Sequence, residues 1–394
     1  MIDIAVIGRG SAGALAIMEF VKDKNFNITC FYDPSIPHVS VGESGTWLIA
    51  ELLRETCGID VEKDGKKYDM VDRWSTKYKW QKINGQEFDV QYTGSPNIHI
   101  NSSVFSNMVL EKCKERYNNF KIVENSVLCV EKNENDSVEI VTENNKYEFD
   151  YVIDCGGTPK GEDFEENYNQ VELETVNSAI VYDDLPVEED FTTSEAHDHG
   201  WMFGVPLPSR KTYGYLYNNE YLSEEEALEN FKKIRDVDMS NVRSFSWNHY
   251  FRMKMFENDI LYLGNKLYFF EPHQAMPLHF YCNVLKFFHE ILNDSMHDDN
   301  KKHDLKRELN SYYDENIEMM SNLIYFNYIG ENHNDSKFCK DMKLKCTQLL
   351  KDSNSFVSWC NDYLRYDKKS YWTHADSIMK EYVEGYKIDL KEFV

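Results

Sequence analysis

The first residues able to do chemistry are three glycines, Gly8, Gly10 and Gly13, with Ser11 and Ala12 between the last two, directly after the β-rich run Ile2-Asp3-Ile4-Ala5-Val6-Ile7. Glycines at this spacing let the backbone turn tightly and approach a pyrophosphate, whose charge then sits on the N-terminus of the following helix. Ala14 to Val21 has helix-forming composition, and a second strand, Ile28 to Tyr32, ends at Asp33, 20 residues beyond Gly13. An acid there is placed to accept a hydrogen bond from a ribose hydroxyl, so the β-α-β order points to a dinucleotide. The run Asp150-Tyr151-Val152-Ile153-Asp154-Cys155-Gly156-Gly157 is a buried strand ending in an acid and two glycines. A strand of that kind returns to a flavin in FAD proteins, and a single nicotinamide βαβ domain does not require it. A second G-x-G-x-x-G that could hold NADPH is missing, which implies a separate flavin reductase.

The elements that must position these residues follow from the pattern. A Trp/Leu/Ile pattern from Thr46 to Thr56 reads as a helix, residues 74 to 93 as antiparallel strands, and Asn101 to Arg116 as a helix capped by Ser102 or Ser103. Strands are expected near Val127 to Val130 and at Ile260 to Leu263, the latter ended by Gly264. After Ser223 the acids Glu224, Glu225 and Glu226 open a helix where negative charge suits the N-terminal dipole. Beyond residue 275 the pattern is mostly helical, with Asn293 to Lys306 the most polar and loop-like stretch.

Composition bounds the rest. The 394 residues are 42% hydrophobic, 28% charged and 14% aromatic, which excludes a disordered or fibrous chain. A formal charge of −25 disfavours nucleic acid and anionic membrane as partners. No apolar run approaches the roughly 20 residues that span a bilayer, and Met1 leads straight into a strand, so a soluble, cytoplasmic protein is expected. The nine cysteines are widely spaced with no C-x-x-C pair, which fits reduced, mostly buried thiols.

With those residues in view, the sequence resembles the flavin-dependent halogenases, the family that includes the tryptophan halogenases. Besides Gly10-Ser11-Ala12-Gly13, Ile36-Pro37-His38-Val39-Ser40-Val41-Gly42-Glu43-Ser44 is similar to the family's I-P-x-x-x-V-G-E flavin loop. Asp154-Cys155-Gly156-Gly157 resembles its D-C-S-G turn, and Gly200-Trp201-Met202-Phe203-Gly204-Val205-Pro206 its G-W-x-W-x-I-P motif with Phe203 for the second tryptophan. Gly214-Tyr215-Leu216-Tyr217 and the run Gly264 to Pro272 are similar to further family segments, and Tyr325-Phe326-Asn327-Tyr328 lies where the family has F-x-x-x-H-Y, without the histidine. The resemblance implies an α/β fold with a Rossmann-like FAD module, a mixed-sheet substrate region and a helical C-terminal part. Boundaries are expected at 1–160 for the FAD module, with inserted strands at 60–100, then 161–255 for the substrate region, 256–290 for a return to the FAD module, and 291–394 for the helical part. It implies flavin contacts at Gly8, Gly10, Ser11, Ala12, Gly13, Asp33, Gly42, Glu43, Ser44, Val127, Asp154, Gly264, Asn265 and Leu278.

The resemblance also implies a reaction. FADH2 supplied by the reductase reacts with O2, a halide ion captures the activated oxygen as hypohalous acid, and a lysine delivers that oxidant to a small electron-rich aromatic substrate. Here the lysine is Lys77, preferred because apolar Trp80 follows three residues on, or Lys79; in a strand both point to one face. An exposed lysine-rich strand, with Lys82, is the plainer reading of the same residues. The family's L-E-S-T-G becomes His273-Gln274-Ala275-Met276-Pro277. Gln274 cannot act as a base at neutral pH, and Pro277 has no N–H for a halide, so the halide segment Ala275, Met276 and Pro277 is altered. Bromide or iodide is therefore expected over chloride. The segment between Lys77 and Asn101 is shorter than in tryptophan-specific members, so tryptophan is not carried over as the substrate. A homodimer is left open.

Competing readings are a flavin-dependent aromatic hydroxylase and a catalytically inactive flavin-binding homologue. His197-Asp198-His199 reads as a polar loop rather than a metal site, for want of a third ligand. His273 and His279 flank the altered halide segment, and Trp201 and Phe203 read either as core or as a barrier between flavin and substrate.

Overall fold

The computed structural model describes residues 1–37, 44–80, 88–91, 95–236, 238, 241–273, 276–296, 302–330, 335–365 and 382–394. Gly42, Glu43, Gln274 and Ala275 lie outside the described residues, as does Lys82. The chain divides into two compact units, the first made of residues 1–72, 95–170 and 250–314, the second of 73–94, 171–249 and 315–394. The strands expected within 60–100 are thus shared between the two units, and the last division falls inside the helix Lys302–Asn327.

In the first unit strand β1 (Ile2–Ile7) leads into helix α1 (Ser11–Val21) and strand β2 (Phe26–Tyr32). The sheet runs Phe256–Glu257, Ile260–Tyr262, Tyr151–Asp154, β1, β2, Phe120–Glu124, parallel throughout except at its first pair. A parallel strand with neighbours on both sides and layers on both faces must be apolar along its length, and Ile4, Ala5 and Val6 are fully buried. On one face Ala5, Ile7, Phe31 and Val152 pack on Val138, Ile140 and Phe149 of a small three-stranded sheet. The helix α1 packs against the helices Ser102–Arg116 and Met276–Ser295, which is why Ala12 to Val21 are all buried and the helix shows no polar face.

Two local expectations change. The helix Ser102–Arg116 is capped by Asn101, whose side-chain oxygen accepts the N–H of Val104 at 3.4 Å, and not by Ser102 or Ser103. The Asn101 amide also donates to Asp69 Oδ2 at 2.8 Å, so an asparagine with two partners outcompetes the serines. The polar stretch after Asn293 is helical to Ser295 and again from Lys302. Its first residue is held, because the Asn293 amide donates to Asp23 Oδ2 at 3.2 Å.

His289 docks the helix Met276–Ser295 onto α1, its Nδ1 2.7 Å from Glu19 Oε1 and its Nε2 3.1 Å from Asp23 Oδ2. Burial alone would lower its pKa, but the hydrogen bonds and charges of Glu19 and Asp23 outweigh burial and hold it above its ordinary 6.5. The folded chain therefore keeps this proton where the unfolded chain has released it, and stability falls as pH rises through the folded value. We expect His289→Gln to cost about 1.5–3 kcal/mol in urea unfolding at pH 6, the range for a hydrogen-bonded charge, and clearly less at pH 8.5. Equal losses at both pH values would rule out the charged pair.

The second unit is built on a seven-stranded sheet in the order Val242–Ser246, Ser178–Asp184, Lys211–Tyr217, Gly200–Pro206, Phe191–His197, Ser75–Lys79, Phe88–Gln91. Ser75–Lys79 pairs parallel with Phe191–His197 and antiparallel with Phe88–Gln91. The helix Glu224–Ile234 covers Met202, Tyr213 and Tyr215 with Ala227 and Phe231. Its acidic start has a second task, since Ser223 and Glu226 form a reciprocal capping box. The helices Lys337–Asp352 and Asn354–Arg365 supply the expected helical C-terminal part.

Candidate functional site

The glycine turn is built from two positions where a side chain cannot fit and one where space is left open. Gly8 has φ +93°, and a Cβ there would lie 2.5 Å from the Cys155 carbonyl oxygen; a Cβ on Gly13 would collide with the Gly8 carbonyl oxygen. At Gly10 no atom of the described residues, its two chain neighbours aside, lies within 4 Å of the corresponding position. Gly10 is also the N-cap of α1 and offers no side-chain cap, so the first-turn N–H groups of Ser11, Ala12 and Gly13 end at that open space. An uncapped helix N-terminus beside an empty glycine face suits an anion.

Asp33 stands just past β2 with its carboxylate already aimed. Oδ2 accepts the Ser126 hydroxyl, and Oδ1 accepts the backbone N–H and hydroxyl of Ser35 at 2.8 and 2.6 Å. Those donors, Ser126 first, hold its pKa below the ordinary carboxylate value, so it stays an acceptor. A carboxylate has about four acceptor positions, which leaves room for a ribose hydroxyl. The serines were not singled out from the sequence, because Ser126 is distant in the chain and only the pairing of β2 with Phe120–Glu124 brings it close.

The remaining expected flavin residues divide by what they touch. Asp154 is buried, which pushes its pKa up; its Oδ1 accepts the Gly156 N–H at 2.8 Å and so holds its own turn. Gly264 has φ +65°, and a Cβ there would lie 3.2 Å from that of Ala12, so the turn Gly264–Lys266 runs close to the start of α1; the Tyr250 hydroxyl donates to the Asn265 carbonyl at 2.8 Å. Val127 packs on the core of Ala5, Ile7 and Phe31, Ser44 belongs to a short strand paired with His99, and Leu278 lies in the first turn of Met276–Ser295. The open face of Gly10, the start of α1 and Asp33 therefore offer what the pyrophosphate and ribose of FAD would need, an anion site beside a hydroxyl acceptor. Arg9, within the same turn, carries its guanidinium 4.5 Å above the Tyr32 ring.

Just before the altered halide segment, Glu271 and His273 are both buried, with the His273 N–H donated to the Glu271 carbonyl at 2.8 Å. Burial pushes His273 down to about 3, so its ring is neutral at pH 7. Met276 and Pro277 open the 20-residue helix, where a proline is tolerated because first-turn N–H groups have no intrahelical partner. His279 Nδ1 lies 3.4 Å from Thr46 Oγ1.

In the second unit the strand Ser75–Lys79 separates two environments. Alternation sends Tyr78 to one face, where its hydroxyl meets that of Tyr382 at 3.1 Å. Trp80 donates to Ser194 Oγ at 2.9 Å, and its ring lies 5.7–6.3 Å from those of Tyr328, Tyr386 and Trp201. Trp201 is thus core; Phe203 lies 6.1 Å from it and fills the space over Gly214. Lys77 and Lys79 share the opposite face, both half-buried. The Lys77 ammonium lies 3.7 Å from the centre of the Phe191 ring, with Thr193 and Asp89 its cross-strand partners. Lys79 lies across from Glu195, which is paired with Arg235 at 3.2 Å. Phe191 was not singled out from the sequence; its link to Lys77 exists only through the parallel register.

His197 stacks on Tyr215 at 3.9 Å, accepts the His199 N–H at its Nδ1, and is pushed down to about 3 by burial. Among the described residues, no group of three or more His, Cys, Asp or Glu is placed to hold a metal.

Comparison with known proteins identifies the family and the fold. The tryptophan halogenase family model matches residues 85–379, three quarters of the chain, so the chain belongs to the tryptophan halogenase family. It is 27% identical over 144 residues to the tryptophan 7-halogenase KtzQ of Kutzneria sp. (strain 744), covering 33% of this chain but only 27% of that protein. The chain therefore spans about a quarter of the length of that curated relative. Its structure is similar to that of a tryptophan halogenase from Shewanella frigidimarina NCIMB 400, with TM-score 0.83 and 16% identity over 99% of this chain and 89% of that one. BrvH, a flavin-dependent halogenase from Brevundimonas sp. BAL3, gives 0.79 and 15% over 98% and 90%. At such identities the likeness establishes the fold, α/β with a Rossmann-like FAD-binding module.

Proposed function

We propose that this chain is an FADH2- and O2-dependent halogenase acting on a small electron-rich aromatic compound, with the flavin reduced by a separate reductase. The observation that carries this reading is the built nucleotide cradle, an uncapped α1 N-terminus at the open face of Gly10 beside a fixed Asp33, in a chain of the tryptophan halogenase family. When bound and reduced, the flavin supplies the oxygen activation that turns a halide into hypohalous acid. Gly10 and the α1 N–H groups hold the pyrophosphate, Asp33 the ribose, and the Gly264–Lys266 turn the flavin side. Gly42 and Glu43 complete the flavin contacts in this reading.

Lys77 holds and delivers the oxidant. Its ammonium lies over the Phe191 ring, a contact that uses no acceptor atom and so leaves N–H groups to donate to the oxidant. Gln274 orients substrate or lysine but moves no proton. The segment Ala275, Met276 and Pro277 offers one N–H fewer than three ordinary residues would, so a weakly hydrated halide is favoured. The reaction is tested by mass spectrometry of an aromatic substrate panel with FAD, a generic flavin reductase, NADH and chloride, bromide or iodide. We expect product with bromide and iodide above that with chloride; oxygenated product independent of halide would move the assignment to an aromatic hydroxylase. Pro277 in the halide segment is the observation that favours this second reading.

A further inference from the structure

We propose that Arg9 is a specificity residue for the adenylate half of FAD, an inference that rests on the flavin reading above. Arg9 stands between Gly8 and Gly10 at the carboxyl end of β1, the edge of a parallel sheet where nucleotides bind. Its guanidinium lies 4.5 Å from the centre of the ring of Tyr32, the last residue of β2 and the neighbour of Asp33. Tyr32 is itself fixed, since its hydroxyl donates to Glu124 Oε1 at 2.7 Å. A planar cation held over one ring keeps N–H groups for phosphate oxygens and can also take a second ring.

Charge gives the arrangement its purpose. FAD brings a dianionic pyrophosphate to a chain of net charge −25, and Glu124 and Asp33 stand on the same sheet edge. Arg9 offsets that repulsion at the point where the adenosine and its phosphate pass from Asp33 to the open face of Gly10. FMN, which lacks the adenylate, gains nothing from it.

The test is calorimetric titration of FAD, ADP and FMN into the wild-type chain and its Arg9→Ala and Arg9→Lys variants, with thermal unfolding of each to confirm an unchanged fold. Arg9→Ala should weaken FAD and ADP by the same factor, about tenfold or more for a lost charge-assisted contact. Arg9→Lys should recover only part of it, because an ammonium lacks the planar face. For FMN, wild type and variants should give the same result, be it weak binding or none. Unchanged FAD and ADP affinity in Arg9→Ala, or an equal loss for FMN, overturns the inference alone. A wild-type chain that binds neither FAD nor ADP overturns the flavin reading with it.

Discussion

Lys77→Ala should lower the halogenated product by about 10²–10³-fold, the range for removing one donor that acts on the reacting atoms. FAD affinity should stay unchanged. The lysine side chain lies over Phe191 in the second compact unit, whereas Gly10 and Asp33 belong to the first. Lys79→Ala serves as the matched control, on the same strand and the same face, but opposite the acid Glu195. Its loss should leave most of the product. The reverse pattern would transfer the delivering role to Lys79, and full activity in both variants would remove lysine delivery from the mechanism.

The glycine turn yields the second large effect, and its two halves should separate. Gly13→Ala places a methyl group against the Gly8 carbonyl, a backbone atom that cannot rotate away, so urea unfolding should show a loss of about 3 kcal/mol or more. Gly10→Ala meets none of the described residues, and its stability should stay within about 0.5 kcal/mol of wild type. Its methyl group instead enters the space assigned to the pyrophosphate. There an overlap of roughly 1–3 kcal/mol weakens FAD about 5- to 150-fold in a fluorescence titration. A Gly10→Ala chain that binds FAD normally would remove the pyrophosphate from this position.

The parts of the molecule legible in the sequence were those whose signal is local. β1, the glycine turn and β2 follow one another within 32 residues, and each has a composition only its own backbone geometry explains. The strand at Tyr151 was legible because an apolar run ending in Asp154 and two glycines has no other common use. Lys77 and Lys79 could be placed together on one face, since alternation needs no long-range knowledge. What lay beyond reach was everything set by pairing across long separations. The parallel register of Ser75–Lys79 with Phe191–His197 puts Phe191 beneath Lys77, and nothing near either residue announces it. Ser126 on Asp33 and Asn101 in place of the serine caps are of the same kind, each decided by a partner the local pattern does not contain.

The order of strands in the first sheet bears on how the chain is made. β1 finds one neighbour in β2 within a few dozen residues, but its other neighbour, Tyr151–Asp154, is translated more than a hundred residues later, and Ile260–Tyr262 later still. At about 5–20 residues per second the ribosome needs roughly 7–30 s to deliver that second neighbour. For that interval an apolar parallel strand has an open edge, the condition that makes nascent chains stick to one another. The part of the chain made by then, residues 1–150, already carries 24 acidic against 17 basic side chains, and that excess acts before any fold exists, as mutual repulsion between unfinished copies on neighbouring ribosomes.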